Sequence, residues 1–364
     1  MKDKILIVGG YGQVGKFVTL ELANAFPKHI IVAGRNLSKA NDFALENGNL
    51  FETLELDIYD KKMFLPSITN IKIVIMCLSP NNNDFSKYCI ENGIHYVDIS
   101  PSYDVVKNVE QFKAEAENNH STCVLGVGLS PGLSNLLVKK LYQNMTVLKK
   151  VNINLLLGLG EAHGQDGVKW LLDNIKSDFI VNDTRIKPFG KCRKTLFNEP
   201  LGKRCVYPFN LADQYIVSKT QNIENAFSYF CYDSKITTLL LSILKNTGIF
   251  CLLKYRPIYN MMLKYFIFML SVNQKFKLGS DVYSLKIDAV GIKDGKEHFY
   301  NAGVIGYNNS LLTGNIIVFV AKQLYTKNYS HGIFYLEELF SIDDLNECDI
   351  IPKIEFNITG KVNI

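Results

Sequence analysis

The segment Gly9-Gly10-Tyr11-Gly12-Gln13-Val14-Gly15 carries a GxGxxG spacing at Gly10, Gly12 and Gly15. Each glycine answers a separate need of a backbone that must cradle a pyrophosphate. Gly10 allows a tight turn, Gly12 lets the main chain approach the phosphates, and Gly15 lets a following helix pack closely on the strand before it. The free N–H groups and positive dipole end of that helix would then face the anion. The flanks agree. Lys4 to Val8 (KILIV) is a continuous apolar run that reads as a buried parallel strand, and Val14, Val18, Leu22 and Phe26 keep helical spacing until Pro27. Tyr11, Gln13 and Val14 complete the candidate phosphate loop. About twenty residues after Gly15, Gly34-Arg35-Asn36-Leu37-Ser38-Lys39 follows a second apolar run, His29 to Ala33, and offers no carboxylate to ribose hydroxyls. Arg35, supported by Asn36, Ser38 and Lys39, suits a 2′-phosphate instead, because a guanidinium binds phosphate oxygens in pairs. The expected cofactor is therefore NADP(H). The competing reading leaves Arg35 as a solvated loop charge.

These residues need a scaffold, and the chain supplies one by alternation. Leu50 to Leu56 reads as a third strand ending in Asp57-Ile58, where an acid can reach an adenine edge. Ile71 to Met76 reads as a fourth, ending in Cys77-Leu78-Ser79-Pro80 beside the expected nicotinamide ribose. A helical stretch, Asp84 to Asn92, leads to the strand His95 to Asp98, and another, Asp104 to Glu117, precedes Thr122 to Gly126. Strands alternating with helices specify an α/β, doubly wound parallel sheet. In such sheets ligands lie beyond the carboxyl ends of the strands, and Gly10, Arg35, Asp57, Ser79, Asp98 and Gly128 all fall there.

Taken together, GGYGQVG, AGRNLSKA, LDIYD, CLSP, YCIENGIHYVDIS and GVGLSPGLSNLL resemble the saccharopine dehydrogenase-like oxidoreductases over roughly residues 1–140. The resemblance resumes at Gly160-Glu161-Ala162-His163-Gly164 and from Thr313-Gly314 to His331-Gly332-Ile333. It implies a discontinuous Rossmann domain with an inserted α+β substrate domain. The expected division is 1–130 completed by about 311–345, an inserted 131–310, and a tail over 346–364. It also implies NAD(P)-dependent hydride transfer to an imine or carbonyl carbon, as in reductive amination, although some members act on lipid-like enoyl substrates. Gly10, Gly12, Gly15 and Arg35 match the family's dinucleotide site, and Ser79, Asp98 and Ser100 match positions lining the cofactor and reaction centre. The chain departs from the family in lacking a basic cluster to hold the carboxylates of saccharopine, which argues against saccharopine as substrate.

In the middle, Lys150 to Leu159 reads as a strand, and Lys293-Asp294-Gly295-Lys296 as the turn of a hairpin. His163 sits in a glycine-bracketed turn, where it could relay a proton to a carbonyl or amine; a turn histidine bonded to backbone is the blander reading. Asp98 is the other titratable candidate for proton handling, set against a role in anchoring a loop through backbone N–H groups. Ser100 and Tyr103 are weaker candidates of the same kind. No HxxxH or His/Cys spacing indicates a metal, and no GxSxG nucleophile motif occurs. Leu311 to Tyr325 has the spacing of a helix returning to the first domain. His331 to Phe340 reads as a loop with a short helix, and Ile350 to Ile364 as a terminal strand.

Composition bounds the rest. The 364 residues, 47% hydrophobic, exclude wholesale disorder and fit two domains. Eight scattered cysteines without a CxxC pair read as reduced, mostly buried thiols, and the absence of a signal-like N-terminus adds to the expectation of a cytoplasmic enzyme. The net charge of +5 is unevenly placed. No acid occurs between Asp233 and Asp281, and that stretch carries +7, leaving −2 for the remainder. Residues 235–277 have four readings: helices packed in the second domain with snorkelling lysines, a homodimer interface, a greasy entrance for an acyl-bearing substrate, or a peripheral contact with anionic lipid. A small-molecule substrate is expected and nucleic acid is not. The functional alternatives are reduction of a C=C or C=O bond in a lipophilic substrate, or a non-catalytic NADP-binding sensor.

Overall fold

Lys4–Val8 forms β1, and Ile5 to Val8 are almost wholly inaccessible. A strand buried on both faces is what a parallel sheet covered by helices requires. The chain continues through α1 (Gln13–Ala25), β2 (Ile30–Gly34), α2 (Leu37–Glu46), β3 (Glu52–Glu55), α3 (Lys61–Ser67), β4 (Ile71–Met76), α4 (Asp84–Glu91), β5 (His95–Asp98), α5 (Tyr103–Glu110), α6 (Lys113–Asn118) and β6 (Thr122–Leu125). The single helix expected over Asp104 to Glu117 is thus two, because Phe112 (φ −92°, ψ 24°) leaves helical geometry.

The computed structural model describes residues 2–161, 165–275, 279–352 and 354–359. It divides into one unit of Met1–Gly132 with Ser310–Ile350 and a second of Leu133–Asn309 with Ile351–Ile364. The second unit begins with α7 (Ser134–Tyr142), β7 (Val147–Leu157), α8 (Gln165–Lys176), β8 (Phe179–Val181), β9 (Thr184–Ile186), β10 (Arg193–Leu196), β11 (Lys203–Pro208), α9 (Asp213–Thr220) and β12 (Asn225–Tyr232). It goes on through α10 (Lys235–Asn246), a 3-10 turn at Ile249–Lys254, α11 (Arg256–Lys275), β13 (Val282–Lys293) and β14 (Lys296–Tyr307). The hairpin expected at Lys293 to Lys296 is present: those two residues pair, and Asp294 and Gly295 between them both have positive φ, as a tight hairpin turn demands.

The chain then returns to the first unit with α12 (Asn309–Thr326), β15 (Gly332–Tyr335), α13 (Leu336–Leu339) and α14 (Ile342–Glu347), and β16 (Glu355–Thr359) closes the second. A Cβ on Gly314 of α12 would fall within about 3 Å of the Phe17 ring, so α12 packs directly on α1. The stretch read as loop and short helix, His331 to Phe340, contains β15, a strand that extends the sheet by parallel pairing with β6. The first sheet runs β15-β6-β5-β4-β1-β2-β3, all parallel. The second runs β10-β11-β12-β7-β13-β14-β16, with β12 and β7 parallel and its other neighbours antiparallel. Among the described residues no helix is long and apolar enough to cross a membrane.

The expectation of uniformly reduced thiols is overturned. Cys192 and Cys205 form a disulfide across a separation of 13 residues, tying the start of β10 to β11. Cys89, Cys123 and Cys231 are buried, whereas Cys251 and Cys348 are exposed. Alkylation of the native protein at pH 8 should therefore mark Cys251 and Cys348. Unfolding without reductant should bring the count to six and reduction to eight; eight without reductant would refute the disulfide.

Candidate functional site

The glycine loop joins β1 to α1 at the carboxyl edge of the first sheet. Gly9, with φ +78°, makes the left-handed turn, one residue earlier than the sequence reading placed it. Gly12 is the N-cap of α1, no side chain caps that end, and the first turn holds no acid. The first N–H groups of a helix lack intrahelical partners, so this end is open to an anion. A Cβ on Gly15 would fall on the Gly9 carbonyl oxygen and lie 2.8 Å from Gly10 Cα, while one on Gly10 would lie about 3 Å from Thr19 Oγ1, the Ile7 carbonyl and Val32. Thr19, which sequence reasoning did not single out, is buried and donates from Oγ1 to the Gly10 carbonyl at 3.1 Å, fixing the loop from the helix side.

Tyr11 connects this loop to the end of β2. Its ring lies against Gly34, where a Cβ would displace the tyrosine ring, and its hydroxyl accepts a hydrogen bond from Asn36 N–H at 3.1 Å. Asn36 also caps α2, its Oδ1 accepting from Lys39 N–H at 2.9 Å. Arg35, Ser38 and Lys39 are exposed around that cap, and the first turn of α2 has no acid. The arrangement offers two cations and a helix N-terminus to a phosphate, and no acceptor suited to a ribose diol. At the end of β3, Asp57 accepts from Tyr59 N–H at 3.0 Å, and Tyr59 Oη in turn accepts from Asn81 N–H at 3.0 Å, joining the loops after β3 and β4. Ile58 is buried beneath them.

The β4 end is brought against the glycine loop. Cys77 N–H donates to the Val8 carbonyl at 3.0 Å, and a Cβ on Gly9 would sit 2.9 Å from Leu78. Ser79 is exposed, Pro80 is buried, and Ser79 Oγ lies 3.5 Å from Ser100 Oγ. Gly128, after β6, faces Thr313 of α12: a Cβ there would lie 3.3 Å from the threonine methyl. The carboxyl edge therefore gathers the loops of Gly9 to Gly15, Gly34 to Lys39, Asp57, Cys77 to Pro80, Asp98 to Ser100 and Gly128. His163 lies outside the described residues.

Asp98 and Ser100 have no exposed surface. Oδ1 of Asp98 accepts from Ser100 N–H at 2.7 Å and Oδ2 from Tyr96 Oη at 3.1 Å, while its carbonyl accepts from Val127 N–H at 3.0 Å. Tyr96 reaches the carboxylate because residues two apart in a strand share a face. Burial pushes the Asp98 carboxyl up to about 6, against the pull of the Ser100 and Tyr96 hydrogen bonds. The Cys77 thiol is pushed up to about 12 by burial first and by Asp98 second, so it is no nucleophile at neutral pH. Because the folded protein binds the Asp98 proton more tightly than the unfolded chain, stability should fall as pH rises from about 4 to about 6 and then level off. The full change is about 3 kcal/mol for a shift of this size. In Asp98→Asn, which keeps an acceptor for Ser100 N–H, this slope should vanish from the pH dependence of chemical unfolding; an unchanged slope would assign it to another group.

The profile described as Saccharopine dehydrogenase NADP binding domain matches residues 5–124. No curated protein sequence matches the chain. Among solved structures, saccharopine dehydrogenase (L-Glu forming) from Saccharomyces cerevisiae aligns at 15% identity over 98% of this chain and 100% of its own, with TM-score 0.69. The C. glutamicum DAP dehydrogenase in complex with DAP aligns at 11% identity over 96% of this chain and 100% of its own, with TM-score 0.46, too loosely to bear on the fold. The glycine cradle fits the dinucleotide that the profile describes, since a side chain at Gly10 or Gly15 would fill the space in which the loop closes. Motif and fold converge: the first unit carries a match to a saccharopine dehydrogenase NADP binding domain over residues 5–124, and the chain shares the fold of the yeast enzyme.

Proposed function

We propose that this protein is an NADPH-dependent reductase that acts on an imine or carbonyl carbon of a small molecule, or runs the reverse amine oxidation. One observation carries the reading: an uncapped helix N-terminus behind a glycine cradle, next to a β2 end with Arg35 and Lys39 and no carboxylate. NADPH, when bound, supplies the hydride; no protein nucleophile is needed. Gly10, Gly12 and the first N–H groups of α1 hold the pyrophosphate, and Arg35 and Lys39 hold the 2′-phosphate. Ser79 is the exposed member of its cluster and meets the nicotinamide ribose or the substrate. Asp98 and Ser100, both buried, position it rather than touch the reacting atoms. His163, or a water, handles the proton.

The name of the yeast protein, a dehydrogenase that forms L-glutamate, supports amine and imine chemistry. The test is NADPH oxidation, followed optically, with a panel of 2-oxo acids each paired with amines and amino acids, and the reverse reaction with NADP and secondary amines. Turnover of a carbonyl–amine pair is the expected result. Turnover of a lipophilic enoyl or ketone substrate alone would move the reading to C=C or C=O reduction. Tight NADPH binding without turnover across both panels would leave a cofactor sensor.

A further inference from the structure

We propose that the second unit docks on anionic phospholipid, with α10 to α11 lying against the bilayer and a lipid headgroup phosphate in the cavity beside α10. The first observation is that α10 turns most of its large apolar side chains outward and three polar ones inward. Its inward face carries Leu241 together with the polar Thr238, Ser242 and Lys245, all exposed by no more than 6%, whereas its outward face carries Ile236 at 73%, Leu239 at 53%, Leu240 at 52% and Ile243 at 48%. The inward polar groups are engaged: Ser242 Oγ donates to the Phe189 carbonyl at 2.9 Å, and Lys245 Nζ donates to the Ile175 carbonyl at 2.8 Å. A helix in water presents the opposite pattern, so the apolar arc is built for something other than water. The outward stripe continues along the same segment. On α11, Met261, Tyr265 and Phe268 recur at helical spacing with 55–63% exposure. More than half of the large exposed apolar side chains among the described residues lie between Ile236 and Met269.

Charge selects the occupant. Among the described residues the exposed cations of this segment are Lys235, Lys254, Arg256 and Lys264, and no acid occurs in the sequence from residue 234 to residue 280. A second copy of this chain would bring cation against cation, whereas an anionic lipid surface neutralises all four and accepts the apolar side chains.

The cavity is an independent observation. It measures about 310 Å³ and lies between β10, β11, the end of β12 and the first turn of α10. Lys194, Lys203, Arg204 and Lys235 line it together with Tyr207 and Leu239, and no acid lines it. Arg204 keeps a buried Nε without a hydrogen-bond partner. Lys235 and Leu239 belong to both features, so the cationic cavity opens at the edge of the apolar arc. That is the arrangement an amphiphile requires: phosphate among cations, chains beside them.

The experiment is co-sedimentation of the full chain with vesicles of phosphatidylcholine alone and of phosphatidylcholine mixed with phosphatidylglycerol, alongside sedimentation velocity without lipid. The expected result is binding to the mixed vesicles, weakened by salt, and little to the neutral ones. Ile236→Glu/Ile243→Glu should abolish it. Lys203→Glu/Lys235→Glu, which leaves the apolar arc intact, should weaken it at least about tenfold. NADPH affinity should be unchanged in both, and a wild-type far-ultraviolet circular dichroism spectrum and thermal unfolding curve report that the second unit, which holds the substitutions, still folds. Equal binding to neutral vesicles, no binding to either, or a stable dimer that Ile236→Glu/Ile243→Glu dissociates would each overturn the proposal. None of these outcomes depends on whether the protein turns over a substrate.

Discussion

Arg35→Asp is expected to raise the Kd for NADPH by about a hundredfold while leaving NADH binding unchanged or a few-fold tighter. Hydrogen bonds to a charged partner contribute about 1.5–3 kcal/mol each, and each 1.4 kcal/mol is a factor of ten. Arg35 follows the Gly34 terminus of β2, with the N-terminus of α2 immediately behind it. An aspartate there removes the guanidinium, repels the 2′-phosphate and supplies the acceptor that a ribose diol wants. Fluorescence titration of both cofactors against wild type and variant separates the possibilities. If NADPH and NADH weakened equally, Arg35 would be stacking on the adenine or holding the loop, and the 2′-phosphate would have to be sought elsewhere.

Much of the first unit was readable because parallel strands buried on both faces leave continuous apolar runs, as Lys4 to Val8 and Ile71 to Met76 do. The Gly-rich turn, the basic end of β2 and the returning helix α12 follow from short-range spacing, and the structure has all three. What the sequence hid depends on partners distant in the chain. β15 is four residues long, too short for a period to show, and exists because Gly332 to Tyr335 find the free edge of β6. The disulfide has no motif: Cys205 pairs across the ladder with Lys194, and that register brings Cys192 within reach. Periodicity is also blind to direction. The spacing of Ile236, Leu239, Leu240 and Ile243 announces a one-sided helix, but only packing shows that Thr238, Ser242 and Lys245 took the inside beside Leu241.

Gly15→Ala should cost more than any other single methyl group in the loop, because its Cβ meets backbone on both sides of the turn rather than a side chain that can rotate away. Overpacking of this kind costs about 1–3 kcal/mol. For a unit of this size that lowers Tm by about 2–4 °C per kcal/mol. The clash pushes α1 away from Gly9 and Gly10, so the N–H groups at its start no longer converge, and NADPH affinity should fall at least about a hundredfold, two charge-assisted hydrogen bonds being at stake. Gly12→Ala is the control. Its Cβ meets only the Gly9 carbonyl oxygen, at 3.1 Å, a contact that a shift of a few tenths of an ångström relieves. Stability should therefore stay near wild type while NADPH binding is lost, since the new methyl stands where the pyrophosphate must approach. Thermal unfolding and cofactor titration on the two variants give four numbers, and the proposed geometry allows one pattern: Tm falls only in Gly15→Ala, affinity in both. Wild-type affinity in Gly12→Ala would place the pyrophosphate elsewhere, and a wild-type Tm in Gly15→Ala would mean that α1 does not need its close approach to β1.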